Sequence, residues 1–184
     1  MNIKKIICWP PLLVGLGAAI TIGILGYITY ESVLSGTNYG LWLVASFGST
    51  VINVFGFPDN ENSQPKNVFF GHLLSALVGI IFVTFFETSF ITIGLAVGIA
   101  TMLMIAFKIT HPPAGGTVIV VMIAGVSFQF LIFPIMAGTI TIIIGGIIYN
   151  RLLLKKKYHN LEIGNFFYNL KRLLKIMTSN IICI

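Results

Sequence analysis

An all-α, polytopic bundle embedded in a bilayer is the fold class this sequence predicts, and three observations predict it. Of the 184 residues, 57% are hydrophobic and only 9% are charged. A soluble domain carries about 25% charged residues, so lipid must be the solvent for most of this chain. The apolar residues fall into six long runs, and the eleven Lys and Arg residues gather at the ends of those runs and in the tail. That placement reads the net charge of +6 as a membrane-orientation signal and excludes nucleic acid as a partner.

The first run, residues 9–30, is about 33 Å long as a helix and is too long for a signal-peptide core. The second, 41–55, is short for a span at about 22 Å and carries Gly48, Ser49, Thr50 and Asn53. A polar loop, GFPDNENSQPKN, follows. The third run, 68–86, has Asn67 before it as a helix cap, and the fourth, 90–107, comes so soon after it that the two form a helical hairpin. The fifth covers 114–130, and Pro134 opens the sixth, which ends near Tyr149.

Two topologies fit these runs. If all six cross, both termini are cytoplasmic and every Lys and Arg lies inside, a strong positive-inside pattern. If the second and fifth are short or re-entrant, four full spans remain and Lys66 and Lys108 fall outside. The expectation is a multi-pass protein of a prokaryotic-type cell membrane, with residues 1–152 as the transmembrane domain. Residues 153–184 form a basic cytoplasmic tail, in which 161–177 can be drawn as an amphipathic helix on the inner leaflet. Cys8 and Cys183 stand near opposite ends and fit neither a disulfide framework nor a zinc site.

The second run contains GSTVI at 48–52 and the fifth contains GGTVI at 115–119. Each sits in the middle of a group of three runs. Three is odd, so a duplicated second group would enter the membrane from the opposite side. Inverted repeats with short, glycine-interrupted segments at matching positions mark a transport pathway at the repeat interface.

Chemistry concentrates at ITHPPAGGTVIVV, 109–121. His111 precedes proline and is pushed out of the helical region, while Pro112 and Pro113 suit a first helical turn. Gly115 and Gly116 let another group approach the backbone. With Lys108 beside it, this helix start predicts an anion site built from free amides and a dipole end. Helix initiation and close helix packing explain the same residues without a ligand. His72 is the second candidate, entering from the same side as His111, and a simple interhelical hydrogen bond explains it equally well. Ser46, Ser49 and Thr50 place three hydroxyls on one helical face, with Asn53 nearby. They line a polar path or bond back to their own helix. No phosphate loop, paired carboxylates or Cys/His cluster is visible, so no catalytic residue, metal or cofactor is expected. The absence of buried carboxylates favours an anion over a cation.

Three blocks, ASFGST, QPKN…GHLLSALVG and HPPAGG, occur in an order and spacing that resembles the HPP family of integral membrane proteins. The resemblance covers about residues 9–152, and the family takes its name from the stretch matched by His111, Pro112 and Pro113. It implies about four membrane spans. Plant members act in nitrite uptake across the chloroplast envelope, so the resemblance implies a transporter or channel for a small inorganic anion, nitrite first. The alternative is a membrane sensor or scaffold without transport activity. Glycine-rich helix faces allow a homo-oligomer.

Overall fold

A computed structural model describes residues 10–34 and 44–152 of the chain. The expected tail at 153–184 and both cysteines lie outside the described residues. Six α-helices follow one another: α1 Pro10–Leu34, α2 Ala45–Val51, α3 Pro65–Phe85, α4 Phe90–Ala106, α5 Ala114–Ala124 and α6 Ala137–Leu152. A π-helical turn, Ile52–Gly56, extends α2, and another, Leu131–Met136, leads into α6.

Local chemistry sets the ends of these helices. Pro65 takes the first turn of α3, where no amide hydrogen is required, so α3 starts before Asn67. Asn67 is therefore not a cap: its Nδ2 donates across the bundle to the carbonyl of Thr110 at 3.1 Å. Ser89 and Thr92 form a reciprocal capping box at the start of α4. At its other end Ile109 N donates to Met104 O at 3.0 Å and Lys108 N to Ile105 O at 3.1 Å. This is a Schellman turn with Lys108 in the left-handed region, φ 55°. The run expected over 114–130 stops early, because Gly125 takes φ 61° and ends α5 after Ala124.

Pairwise contacts fix the direction of every helix. Helix α4 is antiparallel to α5, because Met104 packs with Ile109 and Ala114 while Thr88, just before α4, donates to Met122 O at 3.3 Å. Gly71 of α3 lies against Ala114 of α5, and Gly79 against Val118 and Val121, so α3 and α5 run parallel. Phe47 meets Gly138, and Asn150 Nδ2 donates to the Val54 carbonyl at 2.9 Å, so α2 and α6 run parallel too. Against α6, α1 is antiparallel: the Tyr149 hydroxyl donates to Leu13 O, while Thr21 touches Gly145. Ser46 beside Thr117 and Thr50 beside His111 set α2 antiparallel to α5. The sense therefore alternates from α1 to α6, as six crossing segments require. The lengths divide differently. The spans Pro11–Leu34, Pro65–Phe85 and Leu131–Arg151 are long and apolar enough to cross a membrane. The 17-residue α4 reaches about 25 Å, and the 11-residue α5 only about 16 Å.

The second group of three thus begins in the opposite sense to the first, as an inverted repeat requires. From the second to the third helix of each group the register is constant, whereas α1 and α4 do not share it. The shift that carries Thr50 onto Thr117 also carries Val51 onto Val118, both buried, and Ile52 onto Ile119, both exposed. It continues into the long helices, pairing Val68 with Ile135 and Gly71 with Gly138. Contacts exchange along with residues: Gly71 meets Ala114, and its counterpart Gly138 meets Phe47, the counterpart of Ala114.

The largest core cluster joins α1, α2 and α6 through Leu25, Phe47, Phe55, Ile142 and Tyr149. Outward faces of α1 and α4 display Leu16, Ile20, Ile24, Leu95, Met102 and Ile105, a surface for acyl chains. One polar contact within this core matters for stability. A π-turn leaves carbonyls without their usual helical partners, and Asn150, fully buried, supplies a donor to Val54. Asn150→Leu is expected to lower stability by about 1–3 kcal/mol, the cost of a buried carbonyl left unpaired. Thermal unfolding in detergent, compared with wild type, measures it.

Candidate functional site

The first turns of the two short helices lie side by side, and α3 delivers an imidazole between them. His72 Nε2 is 2.8 Å from Thr50 Oγ1 of α2, and His72 Nδ1 is 2.7 Å from Thr117 Oγ1 of α5. The two threonines are the repeat-related pair, so His72 bridges equivalent positions of the two halves. Thr50 Oγ1 also lies 3.2 Å from Nε2 of His111, and Thr117 Oγ1 lies 2.8 Å from Ser46 Oγ. Thr50, His72, His111 and Thr117 are each 0% exposed. Phe47 closes the cluster with its ring edge-on to His72, centroids 5.3 Å apart.

Close approach of α3 and α5 makes this possible. A Cβ at Gly71 would sit 2.8 Å from the Cβ of His111 and 3.2 Å from the Ile109 carbonyl. Only glycine lets the loop before α5 tuck against α3 there, which brings His111 within 5.1 Å of His72, centroid to centroid. On the other side the polar loop 57–64 folds over His111. Its Asn62 carbonyl lies 2.7 Å from His111 Nδ1. The loop is braced by Gln64, whose Nε2 donates to Pro58 O at 2.8 Å, and by Asn60, whose Oδ1 accepts from Asn62 N at 3.0 Å.

Several expected site residues do something else. Gly115 N and Gly116 N donate to the carbonyls of Pro112 and Pro113 at 3.1 Å, and Ala114 N to His111 O at 2.9 Å. The tight turn that the two prolines impose thus consumes the amides expected to be free for an anion. Pro113 is buried beneath this turn and Pro112 is exposed. Lys108 is exposed, its backbone forms the Schellman turn, and it makes none of the cluster's hydrogen bonds. Ser49 is exposed and its hydroxyl returns to the Ser46 carbonyl at 2.9 Å, so only Ser46 and Thr50 of the three-hydroxyl face turn inward. Asn53 is half-buried in the π-turn and makes none of the cluster's hydrogen bonds.

Two participants escape the sequence reading. Thr117 carries a legible signal, because the GSTVI and GGTVI echo pairs it with Thr50. The Asn62 contribution is a backbone carbonyl, which no side-chain pattern reveals. The counterpart of His72 in the second half, Thr139, is also fully buried, but its hydroxyl donates to Ile135 O in its own helix at 2.7 Å. Ser46, Thr50 and His72 come from the first half and His111 and Thr117 from the second, so both halves supply the cluster, without repeating each other's residues.

The blocks that build this cluster, ASFGST, GH and HPPAGG, lie within a stretch that matches a known family. The family described as HPP, transmembrane region, matches residues 5–159. This chain belongs to the HPP transmembrane family. It is also similar to two proteins of Dictyostelium discoideum described as transmembrane proteins. One is 30% identical over 125 residues, covering 63% of this chain and 44% of the relative. The other is 31% identical over 126 residues, covering 64% of this chain and 40% of the relative. The HPP chain therefore spans less than half the length of these relatives. No solved structure matches it. With its apolar helices, the family assignment makes the HPP chain a multi-pass integral membrane protein.

Proposed function

We propose that this HPP-family protein is a transporter or channel for a small inorganic anion, with nitrite the leading substrate. One observation carries the proposal: two short, antiparallel helices of an inverted repeat meet at a fully buried polar cluster inside a lipid-facing bundle. Buried ionisable groups in a membrane interior are costly and mark pathways more often than packing. The donors are the N–H groups of His72 and His111 and the hydroxyls of Ser46, Thr50 and Thr117, each of which exchanges a hydrogen bond within the cluster for one to the anion. These take the part first assigned to the backbone amides. No acidic side chain hydrogen-bonds to either ring among the described residues, which favours an anion or a neutral acid over a metal cation. Both termini lie in the cytoplasm in this proposal, in a cell membrane of prokaryotic type, following the distribution of Lys and Arg.

Purified protein in liposomes is expected to take up nitrite, faster when the outer solution is more acidic. His111→Gln is expected to reduce uptake to the level of protein-free vesicles. Equal flux with and without wild-type protein rejects the proposal. The complete enclosure of both rings also suits a membrane sensor that transports nothing, and the same liposome result separates the two.

A further inference from the structure

The cluster is more than a set of neighbours: its hydrogen bonds form one continuous line, with a single side branch from Thr50 to the Ser46 carbonyl. In order, the groups are Ser46 Oγ, Thr117 Oγ1, the His72 ring, Thr50 Oγ1, His111 Nε2 and, beyond the second ring, the Asn62 carbonyl. No separation along the line exceeds 3.2 Å.

One end fixes the direction. A carbonyl only accepts, so His111 Nδ1 carries a proton toward Asn62. With His111 neutral, its Nε2 is a bare acceptor and Thr50 donates to it, sharing that proton with the Ser46 carbonyl at 3.0 Å. Thr50 then accepts from His72 Nε2–H. His72 Nδ1 is left bare and accepts from Thr117, which accepts from Ser46. Every group donates toward His111.

We infer that this line is a proton relay between the Ser46 side and the loop 57–64 side of the protein, with His72 passing the proton by exchanging its tautomer. The inference rests on the transport proposal for its purpose, which is to move a proton with the anion. The steps balance. A proton arriving on Ser46 Oγ releases that hydroxyl's own proton to Thr117. Thr117 gives its proton to His72 Nδ1, His72 gives the Nε2 proton to Thr50, and Thr50 gives its proton to His111 Nε2. One proton has entered and His111 is a cation. Every bond from Ser46 to His111 has reversed, His111 Nδ1–H still donates to the Asn62 carbonyl, and His72 has changed from Nε2–H to Nδ1–H while remaining neutral. Release from His111 Nδ1 requires the Asn62 carbonyl to move away, so the braced loop is the exit barrier.

The groups facing the two rings come from every packed element. They are His72 and Gly71 from α3, Phe47 and Thr50 from α2, Thr117 from α5, Asn62 from the loop 57–64 and His111 itself, facing His72. The two rings are the titratable groups among them. Lys66 is half-exposed, and Lys108, Asp59 and Glu61 are exposed.

Nitrogen-15 histidine NMR on the full chain in nanodiscs tests the relay directly, because the chain has three histidines and single His→Gln variants assign each. On acidification, protonation of His111 is expected to move the His72 proton from Nε2 to Nδ1 in the same step. Thr50→Ser should keep that coupling and Thr50→Val should abolish it. A His72 tautomer that stays unchanged while His111 titrates overturns the relay, whatever the liposomes show. In wild-type liposomes, internal acidification accompanying nitrite uptake supports it. Uptake without any proton movement overturns the relay and leaves the transport proposal standing.

Discussion

Gly71→Leu is expected to destroy the folded bundle, with no folded protein recovered from detergent. A Cβ alone at this position would meet His111 Cβ at 2.8 Å and the Ile109 carbonyl at 3.2 Å, and a backbone oxygen cannot swing away. A leucine adds three more carbons to that overlap. Overpacking costs about 1–3 kcal/mol where neighbours can adjust. Here the neighbours are the α5 start and the turn that holds His111, so α3 and α5 must part. Gly98→Leu on α4 is the control: a Cβ there meets nothing within 4 Å. That variant should melt within a degree or two of wild type, since substitutions away from buried features usually change stability by less than about 0.5 kcal/mol. Differential scanning fluorimetry in detergent reads both. A stable, monodisperse Gly71→Leu protein would show that the α3–α5 approach is not required.

Thr50→Val removes one oxygen and leaves the shape of the side chain. Its effect is expected to be large because that oxygen serves both rings, at 2.8 Å from His72 Nε2 and 3.2 Å from His111 Nε2. Each buried ring nitrogen left without a partner costs about 1–3 kcal/mol, so the midpoint of thermal unfolding should fall by several degrees. Nitrite uptake should be lost even where enough folded protein remains to reconstitute. Thr50→Ser restores the hydroxyl and should recover both quantities. Ser49→Ala, at an exposed hydroxyl that bonds only its own helix, should change neither. If Thr50→Val transports as wild type does, the cluster is a packing device and not a pathway.

The membrane class, the six segments and the break at His111 were legible because composition and apolar run length follow directly from the solvent. The pairing of His72 with His111 was half legible. Both rings enter from one side in any alternating topology, but their separation depends on Gly71, whose role appears only when α5 is seen beside it. The free-amide site failed for a local reason. Two successive prolines tighten the turn until Ala114, Gly115 and Gly116 donate to carbonyls three residues back. Residue types showed where a helix starts, but not whether its first amides are already occupied. Lys108 misled in a similar way, because its charge pointed to a ligand while its backbone was making a left-handed turn usually given to glycine. Among the hydroxyls, Thr117 was recoverable from the five-residue echo, since a true repeat constrains both copies at once.

Positions 72 and 139 occupy the same place in the two halves, yet one holds an imidazole and the other a hydroxyl bound to its own backbone. The duplication gives the molecule a mechanical balance, and these unlike occupants remove its chemical balance. Turned over in a bilayer, the frame would keep much of its outline but would carry its two ionisable rings in the opposite order relative to the gradient. The molecule therefore has an intrinsic polarity that its architecture alone does not possess.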